Sequence, residues 1–486
     1  MKRQLILGGV LLAAGGLAAR DVVQAQAARD EAQAPVVSWA PTTGSLPRFP
    51  DFGLLPPPEI FTAERVFKLS QDYPRAEPAM EPAVKQLLAI DYNRDWKPYA
   101  NGALAYVLAG NIENRAMQNS FYAEDNKIRH WYHVPWMHWA DNGREGLHGL
   151  TPEGPIRAKS LSPTQTNWWQ TYALAIYNAP GGSAIGRVWA DAQNPDLTTL
   201  KARGFPVGTV VAKLMFTTTP VSDAPFLSNP IEWQAYIKKT FSFTPTGFPI
   251  APREVNTVRL LQVDIMVRDS RADATGGWVF ATYVYNGLQS PKRSPGQAFD
   301  NRWRNLMPVG LMWGQDPTVT SHLAGNAEPL KTMINPDLQE TRINTDPALP
   351  PQHLGFGLRL NGPADNSLSS CKSCHSVSEY PDISLVLPYI GPGDKRNLIC
   401  GGPEWMRWFR NLPVGQPFDK ASNPLDNSLS LAISITNFLD AKTRRDGGFN
   451  SLQYWHGQRQ MSKSNQRGAV PDGGDPCANA SMVASK

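Results

Sequence analysis

The sequence predicts a mainly β fold with additional helices (α+β), and three observations carry that prediction. Four runs, Trp169 to Tyr177, Gly208 to Phe216, Thr257 to Val267 and Trp278 to Tyr285, are dense in β-branched and aromatic residues. Turn signals such as Pro180-Gly-Gly182 and Gly276-Gly277 bound them. Proline at 43, glycine at 39 and tryptophan at 15 suit many short elements better than long helices. With 486 residues, 41% of them hydrophobic and only 18% charged, the chain can bury a sizeable core and is not disordered.

Taken in order, residues 1–27 read as an export signal. Met1-Lys2-Arg3 is a basic start, Leu5 to Ala19 is an apolar run, and Ala25-Gln26-Ala27 has the small-x-small form of a cleavage site. The run is shorter than the roughly 20 residues that cross a bilayer, and no later stretch is long enough. The expected location is therefore periplasmic or secreted, with no membrane span after removal of the signal. Removing Lys2, Arg3 and Arg20 against Asp21 takes the formal charge from +5 to about +3, which leaves no electrostatic footprint for nucleic acid. Residues 28–61 form a proline-rich arm. Residues 62–164 are a mixed, partly helical extension, in which Glu81-Pro82 before Ala83, Leu87, Leu88 and Ile90 marks a helix start. Residues 165–395 hold the strand runs, and 396–486 form a C-terminal segment with a polar, glycine-rich tail. Within it Leu429 to Ile435 alternates apolar and polar residues, which favours a strand although its length also permits a helix.

The four cysteines are too few for a disulfide scaffold, and they divide unequally. Cys371-Lys372-Ser373-Cys374-His375 has two thiols at the spacing that closes on one porphyrin edge, with a histidine placed to ligate iron. A redox dithiol has no need of the histidine, and a zinc site wants a second close ligand pair, which Cys400 and Cys477 do not form. The motif predicts one covalently bound haem c, with His375 on the iron. In an oxidising compartment Cys400 and Cys477 are expected to pair as a disulfide that ties the tail to the body.

Landmarks around this motif resemble the cytochrome P-460 family and its cytochrome c′-beta relatives over about residues 165–390. They are Gly208-Thr-Val-Val-Ala-Lys213, Val263-Asp264-Ile-Met-Val-Arg-Asp269, Gly276-Gly-Trp278-Val-Phe280 and the haem motif followed by Asp382-Ile-Ser. The resemblance implies an antiparallel β haem core with an open distal face. It implies that Cys371 and Cys374 carry the thioethers and His375 is the proximal ligand. Lys213 matches a lysine that family members join to the haem edge, Asp264 matches a distal carboxylate, and Arg187 falls within one position of a distal arginine. Members oxidise hydroxylamine or handle nitric oxide, while the c′-beta relatives bind gases. By alternation alone, Asp264 and Lys213 can equally be solvated residues on the outer face of half-buried strands. The chain departs from the family in a long insertion, 288–370, and in the segments before residue 165.

The expected function is therefore a periplasmic monohaem cytochrome acting on a small molecule or gas and exchanging electrons with a redox partner protein. An electron carrier, or a gas-binding protein without turnover, remains open. For the sixth iron position Met307, Met312, Met333, His322 and His353 precede the motif and no pattern singles one out; of the downstream Met406, Met461 and Met482, only Met406, in Pro403-Glu-Trp-Met-Arg-Trp-Phe409, fits by context. His130, His133, His138 and His148 lie among Trp131, Tyr132, Trp136 and Trp139, which reads as an aromatic packing segment more than a metal site.

Overall fold

The computed structural model describes residues 67–445 apart from 138–143, 203, 239–252, 290–291, 294–299, 323–333 and 389–397, together with Pro56 and Cys477. The expected signal, the proline-rich arm except Pro56, and the tail except Cys477 lie outside the described residues.

The N-terminal part is helical. Glu81 precedes α1 (Pro82–Ala89), with proline at its start, and α2 (Trp96–Leu108) and α3 (Arg115–Ser120) follow. A short β1 (Thr151–Pro152) leads to β2 (Thr171–Tyr177), α4 (Ala179–Val188) and β3 (Val210–Thr217). Next come β4 (Glu232–Ile237), the 15-residue β5 (Glu254–Arg268) and β6 (Trp278–Tyr285). β7 (Lys292–Arg293) and β8 (Asp300–Asn301) make a small hairpin, and β9 (Leu306–Met312) and β10 (Thr341–Ile343) complete the main sheet. The motif forms α5 (Cys371–His375), followed by β11 (Glu379–Tyr380), α6 (Pro403–Met406), β12 (Asn423–Pro424) and α7 (Leu429–Arg445).

The main sheet is antiparallel and has eight strands in the order β1-β2-β3-β5-β6-β9-β10, with β4 pairing the N-terminal half of β5. The segment that looked like an insertion therefore supplies the last two strands of the sheet, with β10 at its edge. Leu306 to Met312 pairs with β6, and Pro308 is tolerated at the register shift opposite Tyr283, where it interrupts the ladder least.

Both faces of the sheet are covered, which explains why β6 is buried along its whole length. On one face Leu214, Val263, Ile265, Val279 and Tyr283 are sealed at 0% exposure. This face packs against the N-terminal helices: the Tyr283 hydroxyl donates to the Ala100 carbonyl in α2 at 2.6 Å. The other face receives the motif segment and the start of α7, where Tyr177 Oη meets Ser428 Oγ at 2.9 Å.

Leu429 to Ile435 is helical, contrary to the strand its alternation favours. The residues beyond the window decide the period: Leu431, Ile435 and Phe438 fall on one helical stripe and are all buried, and Ser428 Oγ accepts from the Leu431 N–H to cap the helix.

Cys400 and Cys477 are joined by a disulfide with a Cα–Cα distance of 5.3 Å. Cys477 is fully buried in a second core with Trp405, Trp408, Phe409, Phe418 and Phe356. The bridge closes a separation of 77 residues. On chain entropy alone it stabilises the fold by about 4 kcal/mol. Cys400→Ser should accordingly lower the thermal midpoint by several degrees and weaken protection of the 398–418 segment in hydrogen exchange, whereas serine substitutions at surface positions should not.

Candidate cofactor site

The motif helix is a single turn whose start is over-determined. Ser370 caps it: its Oγ accepts from the Ser373 N–H at 3.1 Å, and its own N–H donates to Ser373 Oγ at 2.7 Å, a reciprocal capping box. The Cys371 N–H donates to the Leu360 carbonyl at 3.0 Å, and the Phe356 N–H to the Ser369 carbonyl at 2.9 Å. One helical turn carries the two cysteines, at i and i+3, to the same side, and His375 follows at i+4.

His375 is held through the nitrogen that iron would not use. Its Nδ1 lies 2.8 Å from the Asn427 carbonyl, which can only accept, so the proton sits on Nδ1 and the Nε2 lone pair is free. Nε2 has no hydrogen bond among the described residues. Burial pushes the imidazole down to about 4, against the favourable Asn427 contact, so the ring is neutral near pH 7. Its face meets Phe280 edge-on, with centroids 5.1 Å apart.

The thiols are not those of a redox dithiol. Burial pushes Cys374 up to about 11 and raises Cys371 well above the ordinary thiol range, the reverse of the depressed values such enzymes need. Zinc fares no better. Cys400 and Cys477 are bonded to each other, and no group of three or more metal-ligating side chains occurs among the described residues.

Opposite the motif, register brings three predicted or neighbouring residues into one row. Lys213 pairs with Asp264, and Asp264 pairs with Thr282. Thr282 Oγ1 donates to Asp264 Oδ1 at 2.9 Å and lies 3.7 Å from Cys371 Sγ, which puts the carboxylate next to the motif. Gln262 Nε2 donates to both Asp264 oxygens, at 3.0 and 2.8 Å, and to Asp365 Oδ2 at 3.1 Å. Two carboxylates are thus bridged by one amide. Lys213 forms an ion pair with Glu153 at 3.1 Å. Burial opposes its charge, but Glu153, Asp365 and Asp264 outweigh that and hold the ammonium above the usual lysine range. For Asp264, burial and then Asp365 push the carboxyl up to about 7, with Lys213 pulling the other way.

Neither the solvated outer face nor a sealed core describes this row. Lys213 keeps 31% of its side chain accessible, and Asp264, Cys371, Cys374 and His375 are half-buried, while the opposite face of the same strands is closed. Lys213, Asp264 and the Cys371, Cys374 and His375 side chains thus keep partial access to solvent. Two thiols on one turn, a neutral imidazole with a free nitrogen and an apolar wall of Val211, Met266 and Phe280 fit a covalently attached haem.

Arg187 lies on α4, where its guanidinium donates to Ser183 Oγ at 3.4 Å. Among the sixth-ligand candidates, Met307 Sδ accepts from Gln289 at 3.0 Å, Met312 is buried on β9 opposite Phe280, Met406 packs on the disulfide-bearing core and His322 stacks on Phe356. His353 lies beside Asp365, whose backbone it hydrogen-bonds; burial pushes it down to about 4. Met333 lies outside the described residues, as does His138.

The other clustered histidines pack. His148 is stacked between Tyr122 and Trp233, His133 Nδ1 accepts from the Ser70 N–H at 3.0 Å, and His130 meets Asp72 at 3.1 Å. Residues the sequence did not single out are Asp365, Gln262, Thr282 and Asn427. Gln262 shares the alternating face of Asp264, so strand periodicity alone could have flagged it; the others come from distant segments. The chain matches no family model, no curated protein and no solved structure.

Two outcomes follow for the protein before cofactor attachment. An unfolded aspartate titrates near about 3.9, so the raised value of Asp264 means that stability present below about pH 4 is lost as pH climbs towards 7. Asp264→Asn should flatten that decline, read from urea midpoints at pH 4, 5.5 and 7.5. A methyl group at Gly355 would lie 1.8 Å from the Ser369 carbonyl. Gly355→Ala should therefore push away the cap of α5 and cost about 1–3 kcal/mol, measured by chemical denaturation.

Proposed function

We propose that the protein is an exported c-type cytochrome with one haem bound through Cys371 and Cys374, ligated by His375 and similar in its core to the cytochrome P-460 family. The observation that carries this reading is the His375 imidazole: neutral, anchored through Nδ1 to the Asn427 carbonyl, and leaving Nε2 free one residue after a protonated thiol. When bound, the haem would supply a redox-active iron for a small molecule such as hydroxylamine or nitric oxide, and for electron exchange with a partner protein.

The chain's own contribution is proton handling and polarity. Asp264, with its carboxyl near neutrality, can accept a proton from an N–H or O–H group on a small substrate at physiological pH. Lys213 favours the ionised form of that carboxylate, and Gln262 with Thr282 keeps it oriented. Val211, Met266 and Phe280 form the dry part of the wall. The same acid, beside Asp365, favours this oxidoreductase reading over a gas binder, whose ligands bring no protons to remove.

Production in a periplasm equipped for haem attachment should give one haem per chain that survives denaturation and acid extraction. Cys371→Ala with Cys374→Ala should abolish that covalent retention; retention by the double variant would overturn the assignment. Nitric oxide or hydroxylamine should change the optical spectrum, and Asp264→Asn should slow hydroxylamine oxidation by about 10²–10⁴-fold with the haem content unchanged. A low-spin spectrum indifferent to both molecules would instead identify an electron carrier.

A further inference from the structure

A second polar space lies beside the motif helix, away from the Lys213–Asp264 row. Its walls come from the β5–β6 connection, α5, the 412–416 loop and the residues before α7, and include Thr275, Gln315, Lys372, Ser378, Arg410 and Asp426. The space is about 400 Å³, counted with the solvent at its mouth.

What distinguishes it is a surplus of donors. Lys372 is only 2% exposed, yet its Nζ has no hydrogen-bond partner among the described residues; it lies over the Phe280 ring, 5.3 Å from the centroid. Ser378 and Arg410 line the same space, and Ser378 Oγ and Arg410 Nε are likewise buried without partners among the described residues. Two acceptors in the walls are already engaged. Gln315 Oε1 accepts from Ser370 Oγ at 3.1 Å, and Asp426 Oδ2 accepts from the Phe205 N–H at 2.6 Å, with no ion pair between Asp426 and Lys372. A buried ammonium without a partner is costly. Accordingly burial pushes Lys372 down to about 7, although Glu340 and Asp426 oppose it. Water alone is a poor solution: it accepts from two donors and needs acceptors for its own hydrogens.

We propose that this pocket binds a small monovalent inorganic anion, a halide or an oxyanion the size of nitrite, with Lys372 Nζ as the main donor and Ser378 Oγ and Arg410 Nε completing the shell. Such an anion accepts from all three donors at once and supplies the counter-charge the ammonium lacks. The neighbouring Asp426 carboxylate selects against multiply charged anions.

Thermal unfolding of the full chain at constant ionic strength tests this, comparing sodium bromide and sodium nitrite with sodium gluconate, whose anion is too bulky to enter. The proposal expects a saturable rise in midpoint with bromide and nitrite only. It further expects the apparent affinity to fall at least about tenfold in Lys372→Met and more modestly in Ser378→Ala. Equal responses to all three salts, or an unchanged saturable response in Lys372→Met, would overturn it. Should Lys372→Met fail to fold, bromide anomalous scattering from crystals of the unsubstituted protein decides: a peak within hydrogen-bonding reach of Lys372 Nζ supports the site, and its absence removes it.

Discussion

The structure depends on the two-residue period of β3, β5 and β6. Because successive side chains on a strand point to opposite faces, the same three strands present a sealed apolar surface to the N-terminal helices and a mixed surface to the motif segment. A one-residue slip of any one of these strands would send its own residue of the row, Lys213, Asp264 or Thr282, into the closed core and put an apolar neighbour opposite the motif. The apolar face is therefore what holds the polar row in register. Burial of Leu214, Val263, Ile265, Val279 and Tyr283, at about 1.5–3 kcal/mol for each large side chain, supplies far more than the weak cross-strand polar pairs could.

The motif helix cannot stand on its own. Five residues do not make a stable isolated helix, so α5 relies on its cap, on the Leu360 carbonyl and on what surrounds it. Ser370 and Ser373 close the helix start, and Gly355 permits the approach of the Ser369 backbone, which no larger residue would allow. The orientation of His375 is set by Asn427, two residues before α7, in the left-handed region with φ of 62°. Docking of α7 against the sheet thus decides where the imidazole points, and the elements after the motif are part of the site.

Electrostatics on the two sides of α5 are opposite in kind. Towards the sheet, Asp264 and Asp365 share one amide donor, and burial together with the neighbouring Asp365 raises the proton affinity of Asp264 against the pull of Lys213. On the other side, Lys372 Nζ, Ser378 Oγ and Arg410 Nε have no acceptor among the described residues. In both places low local polarity enlarges the effect of each missing partner.

Much of this was legible before any coordinates. The strands β2, β3, β5 and β6 follow from composition and alternation, because β-branched and aromatic runs between turn signals have few other ways to bury themselves. The helix at Pro82 follows from proline at its start. Leu429 to Ile435 was misleading because seven residues cannot separate a period of two from one of 3.6 when the deciding Phe438 lies outside them. Leu306 to Met312 looked like part of an added segment because the resembled family is compact there; it pairs with β6, and its Pro308 sits at the register shift opposite Tyr283. By itself the sequence determined the chemistry on offer: two thiols and an imidazole at fixed spacing, and a lysine and an aspartate on alternating strands. Tertiary structure alone decided their company, since Asp365, Asn427 and Thr282 reach the site from segments up to about a hundred residues apart in pairing. Contacts at that separation arise from packing and register, which leave no local pattern in the chain to read.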